Sequence, residues 1–423
     1  MKYREVVITG MGCTTAEASS PDALFDQILS GRSSIKIDET LRTLGLPNPI
    51  SASISQAIWD VVDAQVQAEG TRHTRLSLFT AGQAIAQSGI LGNDHDRAGI
   101  FMASNRSPTD FVDLMQAAGA IDKSGECVSL DTLWQSIKAQ DGRSSRSRRD
   151  LSAMAIAGRF CPSGMVMTSN DACAAGGISI GTAYRYIRHG LLDLAIAGGT
   201  ELACEPLSFL CFSSTGMTYS SLSQDPAAAC RPFDRDRRGM VLGEGSAFLV
   251  MEDAEHARAR GSRPLARIRG FAKYAEAGNV LSSNEEGTEF ARCMKAALDD
   301  AGLDVRDIDH INAHGTATIS NDACESRAID LVFGKHAADI PVTANKSFIG
   351  HTIGASAVIE SILSVLSLQK GVLLPTLNYG NPDPSLPPLD IVTAPRDKKN
   401  LRTILSNSFA MGGENCSLVL EAV

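Results

Sequence analysis

The stretch MTSNDACAAGGISIGTAYRYIRHG at 167–190 places one cysteine, Cys173, between a strand-like apolar run and a helix that begins with small residues. Strand, turn and helix in this order present the nucleophile in many hydrolases, because small residues permit a tight turn and leave room for substrate. A helix N-terminus also favours the thiolate, the form that attacks. The competing interpretation is close helix packing around an inert buried thiol. This element alone leaves both interpretations open.

Two histidines lie in turns that also follow strand-like runs. INAHGTATISND ends a strand with His314, and TANKSFIGHTIGASA places Lys346 and His351 around a strand-to-helix turn. A solitary histidine on an apolar face is usually a core residue with its hydrogen bonds made. The chain has only eight histidines, however, and these two both lie beside glycines at the ends of predicted strands. SNSFAMGGENCSLVLE ends a strand with a double glycine, where backbone N–H groups could face a substrate oxygen. These turns favour a catalytic role for Cys173.

Composition excludes several other classes of protein. The chain has 423 residues, of which 43% are hydrophobic and 21% charged, and its net charge is -9. The acidic balance and the absence of a long Lys/Arg run argue against nucleic acid as the main partner. No apolar run approaches the roughly 20 residues that cross a bilayer, and the N-terminus lacks the pattern of a signal peptide. The ten cysteines include no CxxC pair, so we expect reduced thiols and a cytoplasmic protein.

Short apolar runs alternate with helix-period segments, which predicts a layered α/β fold. Strands are predicted at 4–10, 97–103, 164–169, 193–199, 244–252, 308–315, 402–409 and 416–423, and helices at 23–31, 75–89, 253–261, 288–302, 323–334 and 349–371. The alternation resumes after 253, so we predict an N-terminal half at 1–253 and a C-terminal half at 254–423. The segment DGRSSRSRRD (141–150) is predicted to be a basic surface loop.

Five motifs in order make the chain resemble the β-ketoacyl-acyl-carrier-protein synthases, which are condensing enzymes of fatty acid and polyketide synthesis. The motifs are VVITGMG, ACRPFDRDRRGMVLGEGSAFLVMED, INAHGTATISND, NKSFIGHTIGA and NSFAMGGEN. The resemblance implies a thiolase-type fold, in which two similar halves carry mixed β-sheets layered between α-helices (αβαβα).

The resemblance also implies the roles of individual residues. Cys173 would be the acyl-accepting nucleophile, and His314 and His351 would complete a Cys-His-His site. Lys346, Glu325 and Phe409 would support this site. The remaining implied residues are the oxyanion-hole N–H groups of Cys173 and Met411, the pantetheine-binding Thr316 and Thr318, and the carrier-docking Arg72 and Arg75.

The chain departs from the family pattern near the nucleophile and the double glycine. Asp171 stands where relatives commonly carry Ser or Thr, and a carboxylate that pointed inward would raise the pKa of the thiol; we expect it to point away. Ala410 and Met411 replace the family's Gly-Phe, whose Phe acts as a gate, so gating or substrate choice is expected to differ. The segment from about 104 to 150 matches poorly.

The predicted function is decarboxylative Claisen condensation of a Cys-bound acyl chain with malonyl-acyl-carrier protein. The reaction is expected to belong to fatty acid biosynthesis or to specialised type II polyketide biosynthesis, and the second is favoured. The expected partners are the acyl carrier protein and a second ketosynthase chain, either an identical copy or a chain-length-factor-like one. No metal or redox cofactor is expected. Two alternatives stay open: a non-condensing acyltransferase on the same fold, and a non-catalytic subunit that resembles a chain-length factor.

Overall fold

The computed structural model describes residues 3–66, 70–90, 97–105, 115, 129–139, 148–160, 164–220, 225–278 and 283–423. The strands are β1 (Val6–Thr15), β2 (Lys36–Ile37), β3 (Ile50–Ala52), β4 (Ala98–Ala103), β5 (Met165–Ser169), β6 (Leu194–Leu202), β7 (Leu242–Asp253), β8 (Ala266–Ala275), β9 (His310–Asn312), β10 (Pro341–Thr343), β11 (Val372–Leu373), β12 (Asp390–Ile391), β13 (Arg396–Asp397), β14 (Thr403–Phe409) and β15 (Glu414–Glu421). The helices are α1 (Pro21–Leu29), α2 (Glu39–Thr43), α3 (Gln56–Gln65), α4 (Arg72–Ser88), α5 (Leu130–Ala139), α6 (Leu151–Phe160), α7 (Ala175–Arg188), α8 (Pro206–Ser213), α9 (Ala254–Ala259), α10 (Thr288–Ala301), α11 (Ile319–Phe333), α12 (Lys346–Ile349) and α13 (Ser356–Lys370).

One strand arrangement occurs twice. In the first half the order is β5-β4-β6-β7-β1, and in the second it is β10-β9-β14-β15-β8. In each series the first three strands run parallel and the last two are antiparallel to their neighbours. Antiparallel pairing of β1 with β8 joins the two series. The predicted α/β fold of two similar halves is confirmed, whereas the boundary at 253/254 stays a prediction.

Two buried helices, α7 and α13, contact each other between the halves and hold the turns that precede them. α7 also packs on β6 and β4, while α13 packs on β14 and β7. Glycine makes the close approach possible, because a Cβ on Gly176 would lie 2.6 Å from the Gly354 carbonyl oxygen. The small residues after Cys173 therefore do serve helix packing, as the competing interpretation of the sequence proposed.

The prediction of one long helix over 349–371 is wrong at the N-terminal end of that range. The structure has the short helix α12, then a turn that contains His351, a 3₁₀ turn at Ile353–Ala355 and only then α13. Gly350 breaks the helix with φ 67°, and His351 N–H donates to the Val241 carbonyl at 2.7 Å. The apolar composition continues through this break, so hydrophobic pattern alone could not locate it.

The segment Ile353–Lys370 is long and apolar enough to cross a membrane, with a mean hydropathy of 1.2, but 89% of it is buried inside the protein. It is a core helix that packs between strands of both halves. The basic segment predicted at 141–150 lies largely outside the described residues.

Candidate active site

The cysteine lies in a short 3₁₀ turn between β5 and α7, at Ala172–Ala174. Ala172 adopts φ 48°, a left-handed conformation that costs an alanine free energy and marks a tight, constrained turn. The side-chain amide of Asn105 donates to the Ala172 carbonyl at 3.0 Å, which helps to hold this conformation. Cys173 is 5% exposed. The turn thus presents the thiol at the N-terminal end of α7, close to the predicted position.

His351 contacts the thiol directly. Its Nε2 lies 3.1 Å from Cys173 Sγ. On the other side of the ring, Nδ1 lies 3.0 Å from Ser356 Oγ, a group that can donate or accept, and accepts a hydrogen bond from the Ile353 N–H at 3.2 Å. A nitrogen that accepts from a backbone N–H carries no proton, so the neutral ring is protonated at Nε2. His351 therefore donates toward the sulfur.

Lys346 fixes the second imidazole in the same tautomer. Its buried ammonium donates to the His314 carbonyl at 2.6 Å and to Glu360 Oε1 at 2.5 Å. The third neighbour of Nζ is His314 Nδ1, at 3.2 Å. An ammonium group has only donors, so Nδ1 of His314 is the acceptor and the ring proton is on Nε2. The two rings meet edge to face with centroids 5.3 Å apart.

Two buried carboxylates hold the backbone of the His314 turn. Glu325 accepts hydrogen bonds from the N–H groups of His314 at 2.8 Å and Gly315 at 2.9 Å. Asp322 accepts from the N–H groups of Thr316 at 3.0 Å and Phe233 at 2.7 Å. The position of Glu325 in α11, eleven residues after His314, lets it reach back to the turn.

A cleft opens above the thiol. Its lining residues include Cys173, Met217, Met240, His314, Thr316, Thr318, His351, Phe409, Met411 and Gly412. The hydroxyl oxygens of Thr316 and Thr318 lie 2.9 Å apart. Phe409 stacks on Phe290 with ring centroids 3.8 Å apart, and its ring is steeply inclined, at 73°, to that of His314, with centroids 6.3 Å apart. The predicted residues other than Arg72 and Arg75 therefore lie in this cleft or directly support it.

Burial sets the charge state of the reactive groups. Burial lowers the pKa of His314 and His351 well below the usual value, and the nearby Lys346 ammonium lowers both further. Burial also raises the pKa of the Cys173 thiol to about 11, against the opposing effects of Lys346 and of the Met411 and Cys173 N–H groups. At neutral pH the thiol and both imidazoles are therefore uncharged.

The two backbone donors predicted for an oxyanion hole converge near the sulfur. Burial raises the pKa of the Cys173 thiol, and the backbone N–H groups of Met411 and Cys173 both oppose this rise, which indicates that they point toward the sulfur. Met411 lies in the glycine loop, which we define as residues 410–414 between β14 and β15. Gly412 and Gly413 adopt φ of 88° and 83° there, a region that favours glycine.

The arginines predicted to dock a carrier protein lie at a different place. The Arg72 guanidinium lies 4.3 Å from the centre of the Trp59 ring, and Arg75 lies over the same ring and forms an ion pair with Asp63. The cleft beside them also contains Asp38, Glu39, Glu205 and Glu244. The charge of Arg75 is thus compensated within the chain, and carrier docking at these arginines stays a prediction.

Sequence reasoning missed three supporting residues: Glu360, Asp322 and Asn105. A clue to Glu360 was available, since a carboxylate inside an otherwise apolar helix needs a cationic partner. Asp322 stood in a quoted motif, whereas nothing local marks Asn105. Asp171 points away from the thiol as expected, toward Lys273 Nζ at 2.6 Å.

The cysteine and the two histidines also have the spacing of a metal site. One potential ligand atom of each lies within 4.8 Å of the others. A metal ion would need a lone pair on each coordinating nitrogen. The Ile353 N–H and the Lys346 ammonium instead occupy the Nδ1 lone pairs and place protons on both Nε2 atoms. The donor set therefore opposes metal binding, in line with the prediction of no metal.

Models of a known family match most of the chain. The N-terminal domain of beta-ketoacyl synthase matches residues 3–257, and the C-terminal domain matches residues 265–380. The chain belongs to the β-ketoacyl synthase family. This confirms the predicted family, the thiolase-type fold and the acyltransferase class of enzyme.

Relatives of this ketosynthase chain align over nearly its whole length. "Nodulation protein E" of Rhizobium sp. (strain N33) is 34% identical and covers 99% of this chain and 100% of its own. "Putative polyketide beta-ketoacyl synthase 1" of Streptomyces cyaneus is 32% identical over 99% of this chain and 98% of its own. "3-oxoacyl-[acyl-carrier-protein] synthase 2" of Coxiella burnetii is 32% identical over the whole of both chains.

Solved structures show the same similarity. A chain from the complex of a type II PKS acyl-carrier protein with its ketosynthase bound to the hexaketide has a TM-score of 0.89 and 28% identity, with full coverage of both chains. A chain of the ishigamide ketosynthase/chain length factor has a TM-score of 0.84 and 29% identity, also with full coverage.

The buried Lys346–Glu360 pair can be tested by a double-mutant cycle. Lys346→Met leaves an uncompensated buried carboxylate, so we expect it to lower the free energy of unfolding by about 3–5 kcal/mol. Lys346→Met/Glu360→Met removes both charges and should be more stable than the single variant. Urea unfolding measures both. As a control, Lys36→Met breaks an exposed pair with Glu17 and should change stability by less than about 1 kcal/mol. A double variant no more stable than the single one would contradict this account.

The raised pKa of Cys173 predicts a simple pH profile for alkylation. Because the thiol is protonated at neutral pH, the thiolate fraction should rise about tenfold per pH unit from pH 7 to 9.5. The measurement is the rate of iodoacetamide modification at Cys173 by peptide mass spectrometry, in a Cys211→Ser background because Cys211 is exposed and free. A rate that stops rising below pH 8 would show that the thiolate is more stable than its burial indicates.

Proposed function

We propose that this chain is a β-ketoacyl-[acyl-carrier-protein] synthase that catalyses decarboxylative Claisen condensation of a Cys173-bound acyl chain with malonyl-acyl-carrier protein. One observation supports this above all: a buried thiol and two imidazoles, both protonated at Nε2, converge within 4.8 Å. A hydrolase would instead need a base that takes a proton from the water that attacks the acyl-enzyme. Two fixed donors suit a reaction that develops negative charge on a substrate oxygen.

In the first step the sulfur of Cys173 attacks the acyl thioester of the carrier protein. The tetrahedral oxyanion accepts hydrogen bonds from the N–H groups of Cys173 and Met411, each worth roughly 3 kcal/mol in other acyl-transfer sites. The C–S bond to the carrier then breaks, and the proton lost by the cysteine leaves on the carrier thiol. Exchange of one thioester for another keeps the acyl group activated.

In the second step malonyl-carrier protein loses carbon dioxide. The electron pair of the broken C–C bond forms an enolate, whose oxygen accepts hydrogen bonds from Nε2–H of His314 and His351. The enolate carbon attacks the acyl-cysteine carbonyl, and the Cys173 C–S bond breaks to give a chain longer by two carbons. The electron pair of this bond stays on the sulfur, which takes up a proton from solvent and becomes a thiol again. Neither step needs a metal or a redox cofactor.

The surrounding residues have positioning roles in this proposal. Lys346 orients His314, and Glu325 holds the backbone of its turn. Phe409 packs against the His314 ring. Thr316 and Thr318 line the approach to the thiol and would bind the polar pantetheine arm.

A place in specialised type II polyketide synthesis is favoured over fatty acid synthesis. Both the polyketide relatives and the fatty acid relatives align end to end, so identity does not separate them. Met411 adds support, since this flexible thioether replaces the family's rigid gate Phe and would admit more varied chains.

The alternatives require other features. A non-condensing acyltransferase would use Cys173 but would not need two imidazoles held as donors. A chain-length-factor-like subunit would need no nucleophile, whereas Cys173 has a histidine partner and a formed cleft.

A second ketosynthase chain is proposed to cover the edge of the sheet at β5. This strand is the last in the sheet order, and Met167 at its centre is 38% exposed. An apolar edge strand of this kind is normally paired or covered. Structural relatives include a ketosynthase in complex with a type II PKS acyl-carrier protein and a ketosynthase/chain length factor. Free thiols at the eight described cysteines support a reducing, cytoplasmic location.

The function is tested by intact mass after incubation with acyl-carrier protein and then malonyl-carrier protein. The wild-type chain should gain an acyl adduct and discharge it as a product longer by two carbons. Cys173→Ala should form no adduct. His314→Ala should still form the adduct but lose malonyl decarboxylation by about 10²–10³-fold, because one enolate donor is missing.

His189→Ala is the matched control, since His189 caps the opposite end of α7 from the thiol and should leave both steps unchanged. Discharge without release of carbon dioxide would support the acyltransferase alternative. Absence of any adduct in the presence of the partner chain would support the non-catalytic subunit.

The proposed interface is tested by solution mass. The purified chain should be a dimer by light scattering, and Met167→Lys should shift it to monomer by placing a charge in the centre of the β5 edge. Leu331→Lys is the control, because Leu331 is an exposed residue on α11, and it should leave the dimer intact. A wild-type monomer that pairs with a chain-length-factor-like chain would indicate the heterodimer. A dimer that tolerates Met167→Lys would contradict this interface.

A further inference from the structure

An ion cluster lies beside the nucleophile turn. Lys273, on β8, places its ammonium 2.6 Å from Asp171 Oδ1 and 3.0 Å from Glu414 Oε2. Asp171 is two residues before Cys173, and Glu414 is three residues after Met411. One cation from the central sheet thus bridges the two chain segments that supply the backbone donors near the sulfur.

The separation of these segments matters because a single oxygen must accept from both. Hydrogen bonds of roughly 3 Å weaken steeply when distance or angle changes, so the Met411 and Cys173 N–H groups must keep their positions relative to each other. They come from different halves of the fold, one from the turn before α7 and the other from the glycine loop between β14 and β15. A link between the segments is therefore useful for catalysis.

The glycine loop is held mainly by bonds within its own half. Ala410 N–H donates to the Glu414 carbonyl at 2.9 Å, and Gly413 N–H donates to the Ala410 carbonyl at 3.1 Å. Glu276 N–H donates to the Gly413 carbonyl at 2.7 Å and ties the loop to the end of β8. These bonds shape the loop but do not join it to the Cys173 turn. β14 and β15 also pack against this turn, and Lys273 adds a polar connection through its two carboxylate partners.

We propose that Lys273 is a positioning residue. Its ion pairs with Asp171 and Glu414, which we call the latch, hold the glycine loop against the Cys173 turn so that the two oxyanion donors can bind the same oxygen. The role in the reaction rests on the proposed function. The latch itself is a property of the loop and can be measured without substrate.

The cluster is partly open to solvent, which gives the latch a distinctive behaviour. The side chains of Lys273, Asp171 and Glu414 are 38%, 17% and 34% exposed. Burial lowers the pKa of Lys273, but the hydrogen bond to Asp171 and the ion pair with Glu414 outweigh it and raise the pKa, so the cation persists at neutral pH. Ion pairs this exposed are screened by salt and contribute little to global stability. The latch should therefore be salt-sensitive and should affect the loop more than the fold.

The first test is hydrogen–deuterium exchange of the free protein. Lys273→Met should speed exchange of the amides at 411–413 several-fold, with the urea midpoint unchanged. Lys273→Arg should restore wild-type exchange, because its guanidinium can pair with both carboxylates. Lys370→Met is the matched control, since Lys370 is 40% exposed and pairs with Asp22 on the surface; it should leave the loop unchanged. Unchanged exchange in Lys273→Met overturns the latch, whatever the reaction of the enzyme.

The second test is kinetic. In Lys273→Met, kcat for acyl transfer should fall about tenfold with little change in KM, since donor geometry matters in the transition state. Raising NaCl from about 50 to 500 mM should lower kcat of the wild type several-fold but leave Lys273→Met nearly unaffected. An identical salt response in both would overturn the electrostatic mechanism. Faster loop exchange without a kcat change would keep the latch but reject its role in the reaction.

Discussion

The active site depends on the buried ammonium of Lys346 and its three acceptors. Placing a cation in the core is costly unless it is paired and fully hydrogen-bonded. Glu360, the His314 carbonyl and His314 Nδ1 meet this requirement. Because all three Nζ protons are used, the tautomer of His314 is fixed. Burial lowers the pKa of both imidazoles and the same charge lowers it further, whereas for the thiol this charge offsets part of the rise in pKa that burial causes.

Duplication of the strand order explains how the Cys173 turn and the Lys346 and His351 turns, which are far apart in the sequence, come together near this cation. In the first half β5 leads through the Cys173 turn into α7, and in the second β10 leads through the Lys346 and His351 turns into α13. Because α7 and α13 contact each other between the halves, their N-terminal turns come together. The glycines along this contact let the backbones approach, so packing and catalytic placement use the same residues.

The sequence predicted eight of the fifteen strands in the described residues and the catalytic turns, because their signals are local: period, glycine and residue type around Cys173, His314 and His351. It did not predict β8 or six strands of two or three residues, which are too short to show a period. What it could not predict depends on tertiary contact. Glu360 meets Lys346 only after α13 folds across it, and Lys273 meets Asp171 and Glu414 only through pairing of β8 with β15. The helix predicted from 349 was wrong because a backbone bond to Val241 fixes His351 outside it.

Burial gives the resting site a neutral character that suits the proposed condensation. A cationic imidazole would attract the malonyl carboxylate, which must be lost, and so would stabilise the ground state as much as the transition state. A neutral imidazole held as an Nε2–H donor interacts weakly with the starting thioester and strongly with the enolate oxygen that forms after the C–C bond breaks. The desolvation that keeps both histidines neutral also raises the pKa of Cys173. The burial that prepares the two imidazoles as hydrogen-bond donors therefore leaves Cys173 as a thiol that must lose its proton during the attack.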